Sequence, residues 1–201
     1  MIVQHLLLTM AWIVYCILHS VMAATGVKNY LRLQLKTSYK YYRLFYTLFA
    51  FIGLATLLYL HFTISPVELF LSQGLVRIAG FFITIAGAIL MLYCIRHYFF
   101  SLSGIRSLVQ EDQESRLIIT GVHRYVRHPL YLGTFVFIWG LLFLIPQLSL
   151  LLANVVITVY TLIGMRLEES KLVEEFGEEY KNYQRSVPAL IPFKKPRREF
   201  L

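Results

Sequence analysis

Apolar residues run along the chain in long blocks separated by short polar ones. Residues 1–24 contain no Asp, Glu, Lys or Arg, and 44–62 and 78–95 are two further uncharged runs. A helix needs ~20 apolar residues to cross a hydrocarbon core of about 30 Å, so each of these has spanning length. A fourth uncharged run, 129–165, is 37 residues long. As one helix it would reach ~55 Å at ~1.5 Å per residue, and Pro146-Gln147 near its middle offers a break. The pattern predicts an all-α integral membrane protein of one domain, 1–201. Its five transmembrane helices are read at 1–24, 44–62, 76–95, 129–145 and 148–165, the last two forming a tight helical hairpin. Beyond them Leu172, Phe176, Tyr180 and Tyr183 recur at helical spacing, with Glu174, Glu175, Glu178, Glu179 and Lys181 on other faces. This predicts an amphipathic helix over 168–184 at the cytoplasmic surface, with Pro188 and Pro192 ending regular structure.

Composition narrows the class. Hydrophobic residues make up 58% and charged residues 15%, against ~45–50% and ~25% in an ordinary soluble domain. A water-soluble globule and a disordered chain are both excluded. The net charge of +8 reads as topology and not as a nucleic-acid surface. All but one of the 19 Lys and Arg residues fall in 25–43, 96–128 and 166–201, which five spans place on one side. Arg77 and Glu68 are left on the other. The asymmetry predicts an outside N-terminus and a cytoplasmic C-terminus. Without a basic n-region, the first run reads as a span and not as a signal peptide. Cys16 and Cys94 lie inside apolar runs, with neither a disulfide framework nor zinc spacing, and read as packing residues. The six histidines form no i, i+4 metal pair, and no Gly-x-Gly-x-x-Gly, Walker loop or nucleophile elbow is present. His19-Ser20 is polar at membrane depth, either a functional suspect or a helix-packing hydrogen bond.

Chemistry concentrates in two stretches flanking the hairpin, 120–133 (TGVHRYVRHPLYLG) and 164–192. Pro129 suits the first turn of a helix and holds His128 extended. The helix start it opens favours an anion such as a carboxylate, with Arg124, Arg127 and His128 as added donors and Tyr131 half a turn inside. Snorkelling cations and an interfacial tyrosine explain the same residues without a ligand. In the second stretch Arg166, Glu168 and Glu169 follow directly on the last span. The two glutamates point ~100° apart. One of them can accept from a ribose diol or sit near a cation, or both can simply favour a solvated helix.

These two stretches resemble the isoprenylcysteine carboxyl methyltransferase superfamily. RYVRHPLYLG at 124–133 is similar to its cofactor-binding signature, and Arg166, Glu168-Glu169, Phe176-Gly177, Tyr180, Tyr183, Val187-Pro188 and Ile191-Pro192 to its C-terminal signature. IGMRLEESKL followed by VPALIP, with His19-Ser20 and YYRLFY at 41–46, resembles the bacterial methanethiol S-methyltransferase branch. His123 stands where the superfamily more often has tyrosine. The resemblance implies S-adenosylmethionine as methyl donor, held by Gly121, Arg124, Val126, His128, Pro129, Tyr131, Leu132, Gly133, Glu168 and Glu169. Arg124 and His128 would take the carboxylate, Gly133 would permit close approach, and Glu168 or Glu169 would meet the ribose or the cationic end. Arg166, Glu169 and His123 are the candidate catalytic residues: Arg166 to stabilise a thiolate, a carboxylate or His123 to take its proton. No metal and no nucleic acid is implied. The partners are membrane lipids and a small lipophilic acceptor, a thiol or a prenylated cysteine, at the cytoplasmic face of a bacterial inner membrane. The competing readings are prenylcysteine carboxyl or lipid methylation, an NADPH-dependent membrane reductase, and a non-catalytic membrane protein.

Overall fold

A computed structural model describes residues 2–102, 117 and 119–192. Arg106, Arg116, Lys194, Lys195, Arg197 and Arg198, counted above among the basic blocks, lie outside the described residues, as does the side chain of Arg43.

The described chain is helical. The long apolar helices are α1 (Ile2–Ala23), α3 (Tyr42–Thr63), α4 (Gly74–Leu102) and α6 (Leu148–Phe176). Each contains a stretch long and apolar enough to cross a membrane. A shorter apolar helix, α5 (Pro129–Leu144), has 16 residues. Large apolar side chains on these helices stand exposed, among them Phe51 and Phe62 on α3 and Phe82 and Ile89 on α4. An apolar surface of that extent needs lipid or a partner against it. The basic segment 25–43 is itself ordered, as α2 (Thr25–Leu35) and a 3₁₀ turn (Lys36–Tyr41).

One expected element differs. The helix predicted over 168–184 is divided: α6 continues from the apolar run to Phe176, and α7 (Glu178–Ser186) begins afresh. Gly177 between them has φ +55°, a conformation that L side chains rarely adopt and that commonly terminates helices. Periodicity alone carried the pattern through this glycine.

The chain packs as two compact units, Met1–Leu71 with Pro146–Tyr160, and Ser72–Ile145 with Thr161–Leu201. In the first, Leu8, Trp12, Leu57 and Ala153 form a buried core with Tyr15, Val156 and Ile157 packed on it. In the second, α4 and α5 run antiparallel in close contact. Gly80 and Gly87 on α4, and Gly133 and Gly140 on α5, are two turns apart on their helices. Each turns its missing side chain toward the opposite rod. A Cβ on Gly140 would come within 2.7 Å of the Thr84 backbone nitrogen, and one on Gly80 within 2.7 Å of Phe143 Cβ. Small residues let helix backbones approach in this way where burial from water supplies no force. A second core in this unit, Tyr180, Tyr183 and Val187 with Leu172, Val173 and Phe176, anchors α7.

Candidate active site

Pro129 opens α5 and His128 is its N-cap, with φ −121°. Just before it, Gly121–Arg124 makes a 3₁₀ turn that starts at positive φ (+63°) on Gly121. The segment after α7 runs alongside this corner: the Arg127 backbone nitrogen donates to Pro188 O at 2.9 Å and that of His128 to Ala189 O at 3.0 Å. Tyr183 Oη donates to His123 O at 2.6 Å. The two stretches that carry the sequence signatures therefore meet within one compact unit.

Arg127 and Glu169 form the centre of the junction. Arg127 Nε lies 2.8 Å, and Nη2 2.6 Å, from Glu169 Oε1. The Arg127 guanidinium also donates to the carbonyls of Gln184 and Val187. His128 Nε2 reaches the same carboxylate oxygen at 2.9 Å, and Gln184 Nε2 donates to Oε2 at 3.2 Å. The Arg127 and Glu169 side chains are only 10% and 17% exposed, and charge-assisted hydrogen bonds of this kind are the strong ones. Burial by itself would raise the Glu169 pKa. The hydrogen bonds from His128 and Arg127, with their charge, outweigh it and hold the carboxyl below its usual range. Burial pushes the Tyr180 hydroxyl up to about 12, with the Glu169 charge adding to it, so this tyrosine stays a donor beside the carboxylate.

Glu168 faces elsewhere. It is exposed, and Tyr131 Oη donates to its Oε2 at 2.7 Å. The His128 and Tyr131 rings stack, with centroids 5.4 Å apart and planes 13° from parallel. Around them lies a cavity of about 100 Å³ lined by Cys94, His123, Arg127, His128, Pro129, Leu130, Tyr131 and Glu168. His123 Nδ1 donates to Arg127 O at 3.1 Å. Burial lowers its pKa more than that hydrogen bond raises it, which favours the neutral ring.

Of the residues singled out from sequence, His123, His128, Pro129, Tyr131 and Glu168 line one cavity, and Glu169 ties its wall to α7. Val126 is buried beside them. Arg124 does not line the cavity, but its Nε is buried without a hydrogen-bond partner among the described residues. Gly133 turns toward Met91 and Gly87 of α4, where it serves helix packing. Leu132 continues α5 one residue earlier. Arg166 is exposed, with no ion pair among the described residues. Three lining residues, Arg127, Leu130 and Cys94, were absent from the predicted site. Arg127 was named only as one donor among three, although RxxR at 124–127 marked both arginines. Cys94, 1% exposed, reaches the cavity from α4, and nothing in the linear sequence linked it to residues 29 and more positions away. His19 and Ser20 belong to the other unit. There His19 Nδ1 lies 2.9 Å from Tyr160 Oη and Nε2 2.8 Å from Tyr46 Oη, while Ser20 Oγ donates to Tyr160 Oη at 3.2 Å. No group of three or more candidate metal ligands occurs among the described residues.

Comparison with known proteins identifies relatives of the chain. Residues 75–179 match the family described as Phospholipid methyltransferase. A methanethiol S-methyltransferase of Crocosphaera subtropica is 46% identical over 71 residues, 35% of this chain and 27% of that protein. One from Mycobacterium tuberculosis is 28% identical over 190 residues, 90% of this chain and 75% of that protein. A protein-S-isoprenylcysteine O-methyltransferase of Schizosaccharomyces pombe is 33% identical over 84 residues, 41% of this chain and 36% of that protein. The chain thus spans about a quarter of the first of these relatives. No solved structure matches.

Proposed function

The chain belongs to the phospholipid methyltransferase family, and from that premise we propose that it transfers a methyl group from S-adenosylmethionine to the sulfur of a small thiol such as methanethiol. One observation carries the reading: the Arg127–Glu169–His128 junction joins the RHP corner to the α6 glutamates beside one cavity. The same residues support the choice of cofactor. The unpartnered, buried Nε of Arg124 suits a carboxylate. The stacked His128–Tyr131 pair offers a flat face, and Glu168 is an exposed carboxylate at the rim for a diol or a cation. The cavity is smaller than the ~300–1,000 Å³ of whole small-molecule sites, so these residues supply one end of the cradle. Glu168, not Glu169, is read as the carboxylate that meets the ligand. Glu169 is committed to Arg127 and His128 and acts as a positioning residue.

When bound, S-adenosylmethionine supplies an electrophilic methyl group on a sulfonium. The chain's residues have two tasks. The first is alignment, which is worth most when donor and acceptor are held in line. The second is handling the acceptor proton, since a thiol of pKa ~8.5 is mostly protonated at neutral pH. His123 Nε2 takes that proton, and Arg166 steadies the thiolate. Held in line by these residues, the donor would supply its methyl group to the acceptor sulfur. Charge is neutralised in the step, and a site with little water favours it.

The proposal includes topology. All five apolar helices, α5 among them, cross the membrane, and the basic segments set the N-terminus outside and the site at the cytoplasmic face of a bacterial inner membrane. The test supplies purified protein with labelled S-adenosylmethionine and methanethiol and measures dimethyl sulfide by headspace chromatography, beside a parallel prenylcysteine reaction. Dimethyl sulfide as the dominant product supports the assignment. Its absence alongside robust prenylcysteine esterification would replace the thiol with a carboxylate acceptor.

A further inference from the structure

At the far end of the α4–α5 pair from the cavity lies an open apolar groove of about 560 Å³, lined by Arg77, Ile78, Phe81, Phe82, Leu144 and Ile145. Its walls are the first turns of α4 and the last of α5, and Ser72 Oγ ties the two by donating to Phe143 O. Five of the six lining residues are apolar. The sixth, Arg77, is exposed and makes no hydrogen bond or ion pair with any described residue. It is also the one basic residue of the chain outside the three basic segments.

The position along α4 fixes the surroundings. Arg77 and Cys94 are 17 residues apart on one helix, about 25 Å at ~1.5 Å per residue, close to the ~30 Å depth of a hydrocarbon core. The groove therefore opens at the headgroup level of the leaflet opposite the cavity. A guanidinium there, above an apolar trough and without a carboxylate of its own, is half of a charge pair. Its planar fork matches the geometry of a phosphate. The trough below it takes a chain of methylenes.

We infer that this groove is a binding site for one anionic phospholipid, with its phosphate on Arg77 and an acyl chain along Ile78, Phe81, Phe82 and Leu144. The lipid is a bound component and not the methyl acceptor, because it sits at the opposite end of the helix pair from the cavity. The site does not depend on which acceptor the enzyme uses. Charge complementarity selects the occupant: an anionic headgroup leaves Arg77 neutralised, whereas a zwitterionic one brings its own cation to the guanidinium.

The experiment reconstitutes the full chain in phosphatidylethanolamine vesicles containing a trace of phosphatidylglycerol or phosphatidylcholine with a photoactivatable diazirine in the acyl chain. Labelled peptides are mapped by mass spectrometry. In the unaltered protein the phosphatidylglycerol probe labels the peptides carrying 78–82 and 144–145 about fivefold more than the phosphatidylcholine probe, the factor expected of one basic residue near the surface. Arg77→Gln brings that ratio to about one, and Arg77→Lys keeps most of it. Labelling near the basic segment 25–43 by the phosphatidylglycerol probe is unchanged in both variants, which shows that they are folded and inserted. Equal labelling by the two probes in the unaltered protein, or a preference that survives Arg77→Gln, would overturn the inference.

Discussion

Two polar clusters lie among otherwise apolar helices, and their chemistry differs. In the first unit His19, Tyr46, Tyr160 and Ser20 hydrogen-bond to one another across α1, α3 and α6. None of its members is an Arg, Lys, Asp or Glu, and hydroxyls and imidazole can exchange donor and acceptor roles. In the second unit Arg127, Glu169 and His128 meet with a formal charge on each side. A neutral network ties helices together and tolerates rearrangement of its protons. A mostly buried ion pair does not tolerate loss of a partner, because the remaining charge stays desolvated. The first cluster is thus read as packing and the second as the frame on which a site is built.

The comparison is broken most severely at Arg127. Arg127→Ala strands the Glu169 carboxylate and is expected to cost about 3–5 kcal/mol of stability, seen as a large fall in melting temperature in detergent. Glu169→Gln keeps shape and several hydrogen bonds, melts closer to the unaltered protein, and loses about a hundredfold in methyl transfer through misalignment of the corner. Glu168→Gln, at the rim, leaves melting unchanged to within about 0.5 kcal/mol and weakens S-adenosylmethionine binding. Equal melting of all three variants would mean that the junction is not a frame.

A smaller effect is expected from the neutral cluster. Tyr160→Phe removes hydrogen bonds to His19 and Ser20 and should cost about 0.6–2 kcal/mol, the range of such bonds between membrane helices. S-adenosylmethionine affinity stays unchanged. A large loss of that affinity with normal melting would move His19 from packing into the site.

The finest distinction is by pH. The His123 and Glu169 pKa values are both lowered by folding. For each, the unfolded chain binds more protons, so stability rises with pH across the gap between folded and unfolded values. The His123 contribution is complete above about 6.5 and is lost as pH falls below it. The Glu169 contribution is complete above about 4.5 and is lost in a second, more acidic window. Melting temperature recorded from pH 8 to pH 2 should fall in these two stages, and His123→Gln should erase the first alone. A single acid transition that survives that substitution would contradict the assignment.

Much of this was legible in the residues. Runs of uncharged side chains located the starts of the long helices to within a few positions, since hydropathy is a local property, but not the ends of α4 and α6, which run 7 and 11 residues past their apolar stretches. Pro129 and Pro146 placed the ends of α5, because a missing N–H and a fixed φ act on their own neighbours. The RHP corner and the twin glutamates flank the hairpin in the chain, and that they form one site was what the resemblance implied. Which glutamate bonds Arg127 was not legible, since ~100° of helical rotation separates neighbours and only the packed α7 decides which faces inward. The turn at Gly177 was overlooked because the periodicity of Leu172, Phe176 and Tyr180 continues across it. Gly133 was read as a cofactor contact; its spacing of seven from Gly140, matched by Gly80 and Gly87, also describes a seam between two helices.

That seam has a mechanical consequence. Glycines at two levels along each rod leave α4 and α5 no clearance, so neither can slide past the other without backbone meeting backbone. Cys94 on α4 and Pro129 on α5, which both line the cavity, inherit that lock. A methyl group added at Gly87 would act as a shim some ten ångströms from Cys94 at ~1.5 Å per residue, prying the two rods apart at the cavity while touching none of its lining.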